Sequence, residues 1–416
     1  MDSPATQAYV LRMKTAPVVR FLDRNTPPHI ATLILLAGLS ALNMSIFVPS
    51  LDRMAVYFDT EYGVMQLAIS GYLFATAFVQ LFIGPISDRF GRRKVVLVSL
   101  AIFVAASAAA IFTTSIFWFL FFRMMQAIVA TAMVLSRAIV RDIVPQNEAA
   151  SMIGYVTMGM ALVPMFGPTI GGLLDQLYDW RASFVFLTLF GAGVGLLCLF
   201  DQGETVRDGG ISFSEQLKGY PELLRSPRFW GYSLSSAFAS GAFFALLGGS
   251  SFVAGTVFGL SPFWTGLALG IPATGYMCGN FLSGRYSARF GINRMALIGS
   301  CILTAAFSTS LFIGLMGWLN AYIFFGFCIF LGIGNGLVLP NVMAGVLSVR
   351  PHLAGTASGL SGAIMIGGGA GLSAMAGALM TVESGVLPLQ WIMFLSVFAS
   401  LLSILYVMWR EKQITT

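Results

Sequence analysis

Long apolar stretches recur along the whole chain, and they constrain the fold more than any other feature. About 20 apolar residues cross a bilayer core as a helix, and twelve stretches approach or exceed this length. Only 10% of the residues are charged, against about 25% in soluble domains. A water-soluble enzyme is excluded, and we predict an all-α membrane protein with twelve transmembrane helices. The predicted spans are 29–51, 64–86, 94–113, 115–140, 149–173, 182–200, 229–253, 262–283, 294–315, 318–341, 354–380 and 386–409.

The longest polar interval, residues 201–228, divides these spans into two groups of six. We therefore predict two six-helix bundles, over 29–200 and 229–409, joined by a cytoplasmic linker. The segments 1–28 and 410–416 are predicted to be cytoplasmic tails. With this topology the cytoplasmic segments and the cytoplasmic ends of the spans hold 20 of the 23 Lys and Arg residues, as the positive-inside rule requires.

An internal repeat accompanies this division. The octapeptide GPISDRFG at 84–91 is similar to GRYSARFG at 284–291, at an offset of 200 residues. Glycine-rich membrane helices can resemble one another by chance, but the shared RFG favours a true repeat. Two related lobes are typical of a transporter whose site lies near the membrane midplane between them.

The sequence carries no pattern typical of a cofactor or metal site. It has no Walker-type phosphate loop, its four cysteines lie in apolar runs without a CxxC pair, and its two histidines lack ligand-like neighbours. We expect no cofactor, no metal and no nucleic acid. The expected partners are a small-molecule substrate and the lipid bilayer, with the chain acting as a monomer.

The loop after the second span reads GPISDRFGRRK. Gly84 permits close helix packing, and Gly91 supplies a tight turn. Asp88 lies at a helix C-terminus, where the macrodipole disfavours it, so we expect it to face an arginine or another helix. Arg89 and Arg92 could be simple positive-inside anchors, but that alternative does not explain the Gly/Asp spacing.

This loop resembles the G-x-x-x-D-R-x-G-R-R signature of the major facilitator superfamily. The resemblance implies that Asp88 and Arg92 help to latch the two lobes on the cytoplasmic side in the outward-open state. In the second copy Ala288, Ile292 and Asn293 replace the corresponding residues, so the latch is expected to be one-sided.

Two further motifs narrow the resemblance. The fourth span contains RMMQA, similar to the R-x-x-Q-G motif of proton-coupled members, and the fifth contains GPTIGG, similar to the G-P-x-x-G-G element of antiporters. With the run SRAIVRD, the chain resembles the Bcr/CflA group of drug-resistance transporters, which implies a bacterial inner (plasma) membrane. Gly-Pro pairs are also common in membrane helices generally. The antiporter element comprises Gly167, Pro168, Gly171 and Gly172.

Arg123 lies inside the fourth span, where a charge is costly and by default marks a functional site. It needs a carboxylate, carbonyls or water as partner. In the exporters that the chain resembles, this arginine communicates with an acid in the first helix that exchanges drug for protons. Here Ser45 stands in that position, four residues before Pro49. Asp52 is then the nearest acid, and we predict coupling through Arg123 and Asp52. The alternative is that Asp52 is an interfacial charge.

Polar side chains away from the span ends are predicted to face a substrate cavity or a helix partner. Phenylalanines and methionines near the midplane would suit an apolar or aromatic ligand. The predicted substrate-binding residues are Asn43, Ser45, Gln126, Tyr155, Phe243, Phe244, Thr274, Tyr276 and Asn335, with Met158, Met160 and Met365 nearby.

Two functions follow from this pattern. The first is secondary export of a small amphipathic or apolar compound, such as an antibiotic, by alternating access and coupled to proton entry. The second is a metabolite or osmolyte carrier on the same scaffold, either a facilitator or differently coupled. The antiporter element favours the first function, and the missing acid in the first helix favours the second.

Overall fold

The computed structural model describes residues 19–143, 163, 166–205, 213–350 and 353–415. They form an all-α protein, which confirms the predicted class. We number the membrane helices α1–α12 and group α1–α6 as the N-lobe and α7–α12 as the C-lobe.

The N-lobe helices are partly interrupted. A short 3-10 turn breaks α1 just after Ser45, and another breaks α4 just after Met125. Their bounds are α1, Ile30–Ser45, Val48–Ser50 (3-10) and Leu51–Tyr57; α2, Tyr62–Met65 and Leu67–Phe90; α3, Arg92–Ile111; α4, Ile116–Met125, Gln126–Val129 (3-10) and Ala130–Ile143; α5, described over 166–177; and α6, Arg181–Asp201.

The C-lobe repeats this arrangement with longer helices. A π-helical turn closes α7. Their bounds are α7, Pro227–Phe252 and Val253–Val257 (π); α8, Pro262–Phe290; α9, Ile292–Leu315; α10, Ala321–Val349; α11, Ala354–Leu379; and α12, Leu387–Thr415.

Ten helices in the described part of the chain are long and apolar enough to cross a membrane. The other two predicted spans fall on α5 and α8. Most of the fifth span, from residue 149 to 162, lies outside the described residues. The helix α8 is 29 residues long, but Pro272, Thr274 and Asn280 interrupt its apolar run.

The turns of the internal repeat share one backbone conformation. Gly91 has φ 91° and Gly291 has φ 84°, both in the region that favours glycine. Each glycine donates its N–H to the serine carbonyl four residues earlier, at 2.9 Å in both turns. The two RFG sequences therefore end α2 and α8 in the same way, as the repeat predicts.

The linker is fixed to a lobe at each end of its described part. Asp201 accepts hydrogen bonds from the backbone of Leu22 (2.7 Å) and His29 (2.8 Å) and from the Thr32 hydroxyl (2.6 Å). A helix over Phe213–Leu224, which the sequence did not lead us to expect, follows. Its Glu222 forms a 2.6 Å ion pair with Arg350 at the end of α10.

Burial shows which helices lie at the centre. In α7, 89% of the most apolar stretch is buried, whereas in α6 the share is 33%. Across the lobes, α2 packs on α11, and the last part of α1 packs on α7 and α8. The centre of the molecule is thus the surface between the lobes, and helices such as α6 present an apolar face to lipid.

Candidate functional site

A cavity of about 530 Å³ lies between the lobes. It extends to Asp88, Arg92 and Gly355, at the end of the molecule that carries the linker, which we call the linker end. This volume is in the range of small-molecule sites. The described apolar lining comes from both lobes and includes Met44, Leu73, Met133, Phe243, Phe244, Leu269, Leu339, Met343 and Met365.

A polar stripe on α2 runs along one side of the cavity. Thr76, Gln80, Gly84 and Asp88 recur every four residues, so they lie on one face of the helix. The Thr76 hydroxyl and the Gln80 amide nitrogen are buried without a hydrogen-bond partner among the described residues. The two residues line the cavity, but these two atoms are themselves buried in this conformation.

The C-lobe adds Tyr276 of α8 and Asn335 of α10 to the lining. The Asn335 side chain is only 5% exposed, and its amide oxygen also lacks a partner in the part of the chain that the structure describes. These residues face the α2 stripe from the other lobe. A ligand held between them would contact both halves of the protein.

The loop between α2 and α3 forms its ion pairs within the N-lobe. Arg92 contacts Asp88 at 2.7 Å and Asp142 at 3.0 Å. The Glu204 carboxylate accepts the backbone N–H groups of Arg92 (2.8 Å) and Arg93 (3.2 Å) at the start of α3. Because these described partners belong to one lobe or to the start of the linker, the loop does not join the lobes in this conformation.

Arg89 of this loop and Asn293 of its second copy have different surroundings. Arg89 lies in the last turn of α2 with its guanidinium 5.4 Å from the Phe90 ring centroid. In the second copy, Asn293 at the start of α9 hydrogen-bonds Glu411 of α12, which also binds Arg228 at 2.5 Å. An acid thus contacts the first turn of the corresponding helix in each lobe, through backbone N–H groups in α3 and through the Asn293 side chain in α9.

Arg123 is fully buried in α4 and is surrounded by neutral acceptors. It donates to the side chain and the carbonyl of Asn43 (2.8 Å each), to the Gln126 side chain (2.6 Å) and to the Ala68 carbonyl (3.0 Å). Its guanidinium also lies 4.0 Å from the centroid of the Tyr72 ring. Among the described residues, no carboxylate forms an ion pair with Arg123.

Asp52 lies instead at the end of the molecule opposite the linker, where the lobes touch. Its carboxylate accepts a hydrogen bond from the Thr256 hydroxyl of α7 at 3.2 Å, and its backbone N–H donates to Ser251 at 3.3 Å. The predicted coupling residues Arg123 and Asp52 are therefore not brought into contact in this conformation.

Polar contacts at the start of α2 also close this opposite end. The Tyr62 hydroxyl donates to the Gly248 carbonyl of α7 at 2.8 Å. The Gln66 amide donates to the Ser373 hydroxyl of α11 at 2.7 Å, and Gln66 is only 1% exposed. We call these three interlobe contacts, made by Asp52, Tyr62 and Gln66, the distal gate.

The glycines of the GPTIGG element allow backbones to approach closely. A β-carbon at Gly171 would overlap the carbonyl oxygen of Ile46 in α1, within the same lobe. A β-carbon at Gly172 would overlap the carbonyl oxygen of Pro262 in α8, across the lobes. The element therefore has one glycine facing its own lobe and one facing the other lobe.

The family model described as Major Facilitator Superfamily matches residues 33–374 of this chain. The chain belongs to the major facilitator superfamily. It is therefore a transporter and a multi-pass membrane protein, and not an enzyme.

Among superfamily members, the chain is 29% identical over 379 residues to Multidrug resistance protein D of Escherichia coli K12, covering 86% of this chain and 94% of that protein. It is 30% identical over 372 residues to the uncharacterized MFS-type transporter YdgK of Bacillus subtilis 168, covering 87% and 90%. Identity to a bicyclomycin resistance protein homolog of Haemophilus influenzae is 26% over 357 residues, covering 84% and 88%. The resemblance to the Bcr/CflA drug-resistance group is confirmed.

Solved superfamily structures share the fold. A bacterial homolog of the human lysosomal transporter Spinster, in an inward-facing and occupied conformation, superposes with a TM-score of 0.69 at 18% identity, covering 92% of this chain and 96% of that one. A D-xylose-proton symporter gives a TM-score of 0.70 at 13% identity, covering 91% and 96%. These likenesses establish the major facilitator fold of two six-helix bundles.

The predicted substrate-binding residues of this superfamily member separate into three groups. Phe243, Phe244, Tyr276 and Asn335 line the cavity, as does Met365. Tyr155, with Met158 and Met160, lies outside the described residues. The remaining four, which the structure places away from the cavity lining, are Asn43, Ser45, Gln126 and Thr274.

Each of these four residues either has a hydrogen-bond partner within the protein or lies on an exposed face. Asn43 and Gln126 bind Arg123, and the Ser45 hydroxyl donates to the carbonyl of Ala41 in its own helix at 3.3 Å. Thr274 lies on an exposed face of α8. Depth and polarity alone do not show toward which neighbour a side chain points, and the sequence prediction used only those two properties.

The residues that the prediction missed are Thr76, Gln80 and Arg137. The fourfold spacing of Thr76 and Gln80 with Gly84 and Asp88 is visible in the sequence. It is the signal that could have identified this face of α2 as polar and cavity-lining. Arg137 lies in the SRAIVRD run, which was used as a family marker only.

Proposed function

We propose that the protein exports small amphipathic or apolar compounds by alternating access, as a monomer in a bacterial inner membrane with both termini in the cytoplasm. One observation carries this proposal. The cavity is continuous with the linker end, while the opposite end is closed by direct contacts between the lobes. An exporter must load its substrate from the linker side in such a state and release it after the lobes have rocked to the other side.

The nature of the cavity supports a drug-like substrate. Phe243, Phe244 and Met365 supply apolar and polarizable surface, and unbranched methionine side chains adapt to ligands of different shapes. Relatives that are named for multidrug and bicyclomycin resistance cover most of the chain. Both points favour export of foreign apolar compounds over transport of a single polar metabolite.

The proposal includes coupling of export to proton entry, with Asp52 as the proton carrier. Asp52 is half-buried and bonded to Thr256 of the other lobe, so separation of the lobes at this end would expose its carboxylate to water. A carboxylate that alternates between packed and solvated surroundings can bind and release a proton. Arg123 would then act through helix α1, which carries both Asn43 and Asp52.

A facilitator remains the second candidate because one observation favours it. The shell of Arg123 is neutral, with Asn43 and Gln126 as its side-chain partners, and Ser45 occupies the position of the family's usual acid. A transporter that needs no titrating group beside this arginine could move its substrate down its own gradient.

The test is transport in proteoliposomes with an imposed pH gradient as the sole driving force, using chloramphenicol and a fluorescent dye as substrates. We expect accumulation that an uncoupler abolishes and that Asp52→Asn reduces at least severalfold. The matched control is Asp59→Asn, an exposed acid in the turn that follows α1. Gradient-driven uptake at the wild-type rate by Asp52→Asn eliminates Asp52 as the proton carrier. Wild-type transport that ignores the gradient supports the facilitator.

A further inference from the structure

One glycine of α11 stands where the cavity-facing side of that helix would otherwise carry a side chain. The residues of α11 that line the cavity include Gly362, Met365 and Ile366. Gly369 follows Ile366 by three positions, so it continues the same face of the helix. It does not belong to the described lining of the cavity, because a ring from a neighbouring helix covers it.

The ring that covers Gly369 belongs to Phe244 of α7. The three atoms nearest to a β-carbon placed at Gly369 are all in this ring, and the β-carbon would overlap it. Phe244 is only 6% exposed, although it contributes to the lining of the cavity. Most of the ring is therefore packed away, and the missing side chain at Gly369 provides the space that it occupies.

The helices α7 and α11 interlock on both sides of this contact. A β-carbon at Gly241 of α7 would overlap the Leu372 side chain of α11, and one at Gly248 of α7 would overlap Ser373 of α11. These two glycines lie on the same face of α7 as the ring, one turn before it and one turn after it. Because the interface is close-packed at both levels, the backbones cannot move apart at Gly369 without losing both contacts. A methyl group there must be accommodated by movement of the ring.

The free space next to the ring is the cavity of about 530 Å³. A ring displaced from α11 would enter this space and narrow it beside Phe243 and Met365, which supply its apolar surface. One methylene group in an apolar pocket changes discrimination between ligands by about 10–200-fold. A displacement by the size of a methyl group therefore changes which ligands fit.

We infer that Gly369 sets the upper size limit for aromatic and apolar ligands, because it allows the Phe244 ring to pack against α11 and out of the cavity. Gly369 is a positioning residue that acts through Phe244. This inference rests on the proposed function, since it defines the size of the substrate at the proposed export site.

The test measures binding by the purified protein in maltoside micelles, so that it is independent of transport. The probes are dansylamide and its N-benzyl and N,N-dibenzyl derivatives, which share one fluorophore, carry no net charge and differ in size. We expect the wild-type protein to bind all three. Gly369→Ala should weaken binding of the N,N-dibenzyl derivative about tenfold or more, because the displaced ring takes the space of a benzyl group. The affinity for dansylamide should stay close to that of the wild type.

Gly368→Ala is the matched control, because a β-carbon there makes an ordinary 3.5 Å contact with Ala237. Phe244→Ala should raise the affinity for the N,N-dibenzyl derivative, and in that background Gly369→Ala should no longer lower it. This rescue separates a positioning role from a general loss of stability, which would weaken binding of all three probes alike. Size-exclusion profiles check the folding of every variant, and Phe244→Ala alone decides the outcome if Gly369→Ala does not fold.

Four results overturn the inference: no probe binds to the wild type, Gly369→Ala binds like Gly368→Ala, Gly369→Ala weakens small and large probes equally, or Phe244→Ala gives no gain for the largest probe. If the size dependence is observed but proteoliposomes export nothing, the proposed function fails while the size limit of the cavity stands. If proteoliposomes export chloramphenicol but the size dependence is absent, the inference fails and the proposed function stands.

Discussion

Arg123 of α4 and Asn43 of α1 are joined by two hydrogen bonds of 2.8 Å, one to the Asn43 side chain and one to its backbone carbonyl. The contact fixes the two helices to each other in the middle of the N-lobe. It also satisfies a membrane-buried guanidinium without a counter-charge among the described residues. This arginine is therefore part of the lobe's framework as well as a candidate for coupling.

Replacing Asn43 should show how much this contact contributes to the stability of the folded protein. We expect Asn43→Ala to lower the free energy of unfolding by about 1.5–3 kcal/mol, because a buried charged donor loses its acceptor. Thermal melting of purified protein, followed by tryptophan fluorescence, measures the change. Ser45→Ala is the control, since the bond of its hydroxyl among the described residues is to Ala41 of the same helix. A melting temperature for Asn43→Ala equal to that of the control would contradict the framework role.

Replacing Arg123 itself should abolish concentrative transport. Arg123→Lys is expected to fail as completely as Arg123→Ala, because an ammonium cannot bind Asn43, Gln126 and the Ala68 carbonyl with one planar fork. Uptake into inside-out vesicles gives the measurement. Normal accumulation against a gradient by either variant would remove Arg123 from the mechanism.

The loop between α2 and α3, which we call the gate loop, is expected to control which end of the cavity is open. Asp88→Asn and Arg92→Ala should each favour the state that is open at the linker end, because the family's latch acts when that end is closed. A cysteine placed at Ser240, a cavity-lining position, in a variant without the native cysteines, should react faster with a maleimide added from the linker side. Lys94→Gln should react like the parent. Unchanged labelling and transport in both gate variants would show that the latch assignment is wrong.

Weakening the distal gate should have the opposite effect. Tyr62→Phe removes the bond to Gly248, and Gln66→Ala removes the bond to Ser373. Each neutral hydrogen bond contributes about 0.5–1.5 kcal/mol, so each change should shift the population ratio about two- to tenfold toward a state open at the distal end.

Spin labels on the exposed residues Glu61 and Thr381, in opposite lobes, report this opening as a longer distance. Tyr322→Phe is a matched control, because Tyr322 is 91% exposed. If Tyr62→Phe and Gln66→Ala give the same distance distribution as Tyr322→Phe, these bonds do not hold the gate closed.

The two neighbouring glycines of GPTIGG should behave differently. Gly171→Ala forces a methyl group against Ile46 within the N-lobe and should cost about 1–3 kcal/mol of stability. Gly172→Ala meets Pro262 of the other lobe, so separation of the lobes relieves the clash, and we expect a conformational shift with little loss of stability. Melting temperature and the spin-label distance separate the two effects, with Gly193→Ala as the neutral control. Identical behaviour of both variants would contradict this division.

The sequence predicted the helices well because each apolar run must satisfy its own backbone hydrogen bonds in a membrane. It also predicted the turn at Gly91 and a partner for Asp88, which proves to be Arg92. These features depend on residues that are close together in the chain. Local spacing is sufficient to predict them.

The site was predicted less completely because its contacts depend on helix rotation and on the relation between lobes. Asn43 and Gln126 were assigned to the substrate, but their side chains turn toward Arg123. Asp52 was expected near Arg123, but the two are at different depths, and Asp52 bonds to Thr256 some two hundred residues later. A sequence gives no direct measure of which residues of one lobe meet the other.

The attachments at the two ends of the linker have a consequence for the integrity of the molecule. Asp201 binds the start of α1, and Glu222 binds the end of α10, so each end of the connection belongs to the lobe beside it. A cut between residues 205 and 213 would break none of the described contacts of either lobe. The protein is in this sense two associated subunits that happen to be synthesised as one polypeptide, and a gene split at this point should still yield a working pair.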